Sequence, residues 1–202
     1  MPTQVNAMPE GHIFTICFHI SGATDGGDQS VRAYDDPGLQ DLGLYLPIGN
    51  DGNFKAEFER PASTFADAVI SALSDLQRVF PEAELVRVEP DDLITISGIA
   101  ERLNRSHESI RLLVQGQRGP GGFPRQASAP GTKTRVWRWH EVVDWFEQKM
   151  DVRVPNAEHA KFLAMINDLL HLRLAAPTVI DNRRTAAAMA ALLPKELVAQ
   201  AS

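Results

Sequence analysis

The sequence predicts an α+β protein built in three successive parts, and three observations carry that prediction. Up to about residue 90, segments of alternating apolar and polar residues surround one segment of helical period. Beyond Glu89-Pro90-Asp91-Asp92 the pattern changes to short helical segments with a glycine-rich interruption. Charge divides at the same place: residues 1–92 carry five basic and sixteen acidic groups, whereas residues 93–149 carry nine basic and five acidic ones. With 202 residues, 44% of them hydrophobic and 23% charged, the chain is long and apolar enough to bury a core.

In the first part, Gly11–Ile20 (GHIFTICFHI) is rich in β-branched and aromatic residues and reads as a strand. A polar loop runs on to about Pro37. Leu39–Ile48 and Asn53–Glu59 then flank Gly49-Asn50-Asp51-Gly52, a connection of hairpin length. Phe54, Ala56 and Phe58 alternate with Lys55, Glu57 and Glu59, as in a strand with one buried face. Pro61 ends it. A helix is expected over Thr64–Phe80, with Thr64 and Asp67 spaced as a capping pair and Phe65, Val69, Leu73, Leu76 and Phe80 on one stripe. Glu84–Val88 supplies a last strand, so the order β-β-β-α-β implies a helix on one face of a sheet.

In the second part, Ile96, Ile99, Ala100 and Leu103 have helical spacing. Asn104-Arg105-Ser106 interrupts, and Ile110, Leu113 and Val114 resume the period, which is a helix-turn-helix arrangement. Gly116–Gly122 is too glycine-rich for a helix. Phe123-Pro124 and Arg135–Trp139 bracket a Ser/Ala/Pro/Gly stretch, so a β-hairpin wing is expected over 123–139, followed by a helix over His140–Gln148. The third part holds two helical patterns, 157–175 and 182–200, separated by Pro177. The expected domains are therefore an acidic α+β unit at 1–90, a winged helix-turn-helix at 93–149 and a helical region at 155–202.

A major groove admits one helix, so a reading module needs a short helix with polar residues outward and apolar ones anchored beneath. The segment 106–115 has that form. Ser106 suits an N-cap, and His107, Glu108 and Arg111 project opposite Ile110 and Val114. Ser106, His107, Glu108 and Arg111 are the expected base-edge contacts, because arginine suits guanine O6 and N7 and glutamate accepts from cytosine N4. Arg102, Arg105, Arg118, Lys133, Arg135 and Arg138 are expected on phosphates, which adds affinity without sequence information. With Arg111 and Arg125 they make eight cations facing only Glu108, a basic island in a chain of net charge −6. At least one of Trp137 and Trp139 should be core.

The residues I-x-x-I-A-E-R-L-N-R-S-x-E-S-I-R-x-L from Ile96, Gly121-Gly122-Phe123-Pro124, and the stretch Arg135–Trp145 resemble the MerR/AlpA/excisionase group of winged helix-turn-helix proteins. That resemblance covers about a quarter of the chain. It implies a second helix in the major groove, a wing on the backbone or minor groove, and homodimers or cooperative multimers on double-stranded DNA. No long coiled-coil helix with sensor cysteines follows, so metal or drug sensing does not carry over.

Other functions find little support. His12, Cys17 and His19 are the nearest metal-type cluster and fit neutral packing better, so neither a metal nor a cofactor is expected. Gly119-Pro120-Gly121-Gly122 lacks the lysine of a phosphate loop. No serine or cysteine has a neighbouring base, and the chain does not read as an enzyme. Cys17 is the single cysteine, the start lacks a signal-peptide pattern and no apolar run reaches the ~18 residues of a membrane span, so a cytoplasmic protein is expected. Alternatives to a transcriptional regulator are an excisionase-like architectural factor, or an antitoxin-like adaptor whose residues 1–90 bind a protein partner. Phe162, Ile166, Leu169 and Leu174 offer an apolar face either for a homodimer or for packing onto the chain's own core.

Overall fold

The computed structural model describes residues 11–21, 23, 33–48, 52–129, 131–180 and 183–192, with the backbone alone over 42–48. The expected Gly49-Asn50-Asp51 turn, most of the polar loop before Pro37 and the end of the last expected helix lie outside the described residues.

Four strands, β1 (Gly11–His19), β2 (Leu42–Ile48), β3 (Asn53–Pro61) and β4 (Glu84–Glu89), form a sheet in the order β2-β3-β1-β4. All neighbours are antiparallel. The register sets Phe14 opposite Phe58, Ile16 opposite Ala56 and Phe18 opposite Phe54, so one face carries the alternating apolar residues. Their rings stack, with centroids 5.5 Å apart for Phe14–Phe58 and for Phe18–Phe54. Helix α1 (Phe65–Val79) covers this face with Phe65, Ala68, Val69, Ala72, Leu73 and Leu76 buried. Thr64 caps it, accepting from Asp67 N–H at 3.1 Å.

The opposite face is tied by charge: Glu89 accepts from Lys55 Nζ at 2.8 Å and from Arg87 Nη2 at 2.8 Å. Burial of Cys17 beside these residues raises its thiol pKa. Arg60, almost wholly buried, donates to both oxygens of Asp41, to Asp75 at 2.9 Å, to Ser71 at 3.0 Å and to the Gly38 carbonyl at 2.9 Å. It pins a short 3-10 turn (Pro37–Leu39), found where a strand start was expected, to α1 and β3.

The second unit contains α2 (Ile96–Arg102), α3 (His107–Val114) and α4 (Trp139–Met150). Their apolar sides meet in a core of Ile99, Ile110, Leu113, Trp137, Val142, Val143 and Phe146. All three tryptophans are buried. The expected β-hairpin does not form as paired strands among the described residues. Instead β6 (Trp137–Arg138) pairs antiparallel with β5 (Leu93–Ile94). The arms of the 116–136 loop meet at Ala127 N–H to Val136 C=O, 2.8 Å. Pro120 and Pro124 remove amide donors and Gly119, Gly121 and Gly122 adopt φ near +70°, which together suit a loop rather than a ladder.

Helix α5 (Ala157–Val179) runs past Pro177, which the sequence expectation placed between two helices; α6 (Arg183–Ala190) follows. Leu163 and Leu170 of α5 enter the sheet core, while Ala160 enters the helix-turn-helix core. Phe162 and Ile166, offered as a dimer face, pack against the sheet core of their own chain, and Phe162 meets Phe65 edge-on at 6.0 Å. Leu169 lines a groove between α1 and α5, and Leu174 is half-buried.

Candidate nucleic-acid interface

The turn between α2 and α3 is built by one left-handed residue. Asn104 takes φ 48°, and the bonds Arg105 N–H to Ala100 C=O (2.8 Å) and Asn104 N–H to Glu101 C=O (3.0 Å) close the end of α2. These are the two bonds of a Schellman ending, with asparagine in the position that favours glycine. Two residues later Ser106 caps α3, its hydroxyl accepting from Ser109 N–H at 3.1 Å. Ile110 and Leu113 anchor the helix in the core. The outward face consists of exposed His107 and Glu108 with half-exposed Arg111. Ser106 is thus exposed at the helix start with its hydroxyl committed to the cap.

Arg111 is held by two neighbours on its own helix. Its Nε donates to Glu108 Oε2 at 2.7 Å, its Nη2 to Oε1 at 2.5 Å, and its Nη1 to Gln115 Oε1 at 2.7 Å. Hydrogen bonding to Arg111 lowers the Glu108 pKa, and hydrogen bonding to Glu108 raises that of Arg111. The sequence reading placed Glu108 and Arg111 on this face and missed Gln115; its spacing of four from Arg111 was the available signal.

A second Schellman ending, with Gly116 at φ 68° and Gln117 N–H to Leu112 C=O at 3.0 Å, turns the chain out of α3 into the loop. Phe123 fastens this loop beneath, 4.9 Å from the Trp145 ring, and Trp145 Nε1 donates to Gly121 C=O at 3.0 Å. Arg118, Arg125, Lys133 and Arg135 stand exposed on the loop, and no ion pair or hydrogen bond ties them among the described residues.

The other expected phosphate contacts are placed differently. Arg102 lies over the Trp139 ring at 5.0 Å and lines a cleft of about 320 Å³ with Ile13, Phe65 and His159. Partial burial there lowers its pKa. Arg105 lies over Phe146 at 5.3 Å. Arg138 reaches Asp92 at 3.4 Å and Asp168 at 3.6 Å, so carboxylates already neutralise it. Asp92, read as part of an acidic linker, is buried and accepts from the His140 backbone N–H at 3.0 Å, capping α4 from 48 residues away. Comparisons with protein-family models, curated proteins and solved structures found no match. No helix among the described residues is long and apolar enough to cross a membrane.

Proposed function

We propose that this chain is a sequence-specific DNA-binding transcriptional regulator that works in the cytoplasm as a homodimer, reading the major groove of double-stranded DNA with α3. One observation supports this reading above the rest. A capped helix, anchored by Ile110 and Leu113 and polar outward, leads directly into a loop that carries four cations without an ion pair among the described residues. Docked in a major groove, such a helix would offer hydrogen-bonding groups to base edges, and the loop would offer charge to phosphates. The acidic N-terminal unit would be repelled by DNA, which leaves it for dimerisation or partner binding.

The division of labour differs from the one the composition suggested. Arg138 is neutralised by Asp92 and Asp168, and Arg102 and Arg105 lie on aromatic rings. Phosphate binding therefore rests chiefly on Arg118, Arg125, Lys133 and Arg135. Selection of bound duplexes from a random pool tests the proposal. Enrichment of one short motif is the expected result; recovery of unenriched sequence contradicts it.

A further inference from the structure

The hydrogen bonds around Arg111 point to a role for its neighbours that goes beyond surface solvation. A guanidinium has five N–H donors. Glu108 takes the Nε hydrogen and one on Nη2, and Gln115 takes one on Nη1. Two donors remain, one on each terminal nitrogen. Guanine presents two acceptors in the major groove, O6 and N7, which is the pair a two-donor fork fits. The remaining acceptor capacity of Glu108 suits the N4 amino group of cytosine, which the G·C pair presents beside guanine O6.

Charge works in the same direction. An unpaired arginine on the reading face would clamp any phosphate within reach, adding affinity for every sequence alike. Glu108 and Arg111 together carry no net charge to offer a phosphate, and the carboxylate repels one. Glu108 and Arg111 on α3 and Gln115 at its C-cap are spaced by three and four residues, and side chains at these spacings are neighbours on a helix surface.

We infer that Glu108, Arg111 and Gln115 act as one reading unit for a G·C pair, in which Glu108 and Gln115 position Arg111 and Glu108 suppresses its binding to phosphates. The inference rests on the DNA-binding reading above. Its test uses the full chain, the duplex recovered from a random pool, variants of that duplex with each G·C pair changed to A·T, and a scrambled duplex. Wild type should discriminate at one G·C pair by about 5- to 150-fold, the range of a good bidentate contact.

Glu108→Ala leaves the Ser106 cap and the buried side of α3 untouched, and circular dichroism melting confirms that the variant folds. It should lose most of the discrimination at that pair and bind the scrambled duplex more tightly. Its plot of log affinity against log salt should steepen by about one, because a freed arginine adds one phosphate contact. Gln115→Ala should lose part of the discrimination with no change in slope. If Glu108→Ala keeps both the wild-type discrimination and the wild-type slope, the inference is overturned and the DNA-binding reading stands. If wild type binds no duplex, both fall together.

Discussion

Asn167 and Val88, 79 residues apart, exchange two hydrogen bonds: Val88 N–H donates to Asn167 Oδ1 at 2.8 Å, and Asn167 Nδ2 donates to Val88 C=O at 2.9 Å. The side-chain amide of α5 thus stands in for a fifth strand at the outer edge of β4. It satisfies backbone groups that would otherwise be buried without partners. Asn167→Leu removes both partners and should destabilise the chain by about 1–3 kcal/mol, read as a lower midpoint in urea unfolding. An unchanged midpoint would mean that α5 does not hold this edge.

Gly119 takes φ 78°, and a Cβ built there would lie 2.8 Å from Leu113 Cδ2. Gly119→Ala combines a strained backbone with a steric clash against the core side of α3. The expected loss is about 1–3 kcal/mol of stability, with weaker DNA binding because the loop that carries Arg118 shifts. Gly116→Ala, at φ 68° with open space around the added carbon, serves as the control for strain without a clash. Equal effects of the two substitutions in thermal melts would contradict the packing role of Gly119.

Asp36 receives Arg78 Nη2 at 2.7 Å and Nη1 at 2.9 Å as well as the Gly38 N–H at 2.8 Å. These bonds, the arginine's first, lower its pKa to about 2. A carboxylate depressed in the folded state stabilises fully above its ordinary pKa of about 3.9, and that contribution is lost as pH falls toward about 2. An NMR titration should place the Asp36 midpoint near 2, and Arg78→Ala should return it toward about 3.9. Identical midpoints in the two proteins would refute the pairing.

Lys133 lies on the loop with no ion pair among the described residues, which leaves its charge for a phosphate. Lys133→Ala should weaken binding to all duplexes by a similar factor and reduce the salt slope by about one. A change in sequence preference would instead place Lys133 on a base.

Much of the architecture was legible because local patterns agree with tertiary roles. The alternation of Phe54, Ala56 and Phe58 marks the buried side of β3, and the stripe from Phe65 to Leu76 marks the buried side of α1. Ser106 and the period of Ile110 and Leu113 mark α3. Contacts between distant segments left no such trace. The Asp92 carboxylate finds His140 only in the fold, and Asn167 sits unremarkably among the polar residues of a helical pattern. The wing departs from the expected hairpin for a related reason: Trp137 and Arg138 do form a strand, but their partners are Ile94 and Leu93 rather than the preceding loop. In the candidate site, the cation count is legible in the sequence, whereas the carboxylates beside Arg138 and the rings beneath Arg102 and Arg105 are visible only in the fold.

The most direct test of the central claim is a fluorescence-anisotropy competition, at fixed salt near 0.15 M, between the selected duplex and a scrambled duplex of the same composition. The account predicts that the full chain binds the selected duplex at least about 10³-fold more tightly. Equal affinity for the two duplexes, or no binding to either, would contradict it.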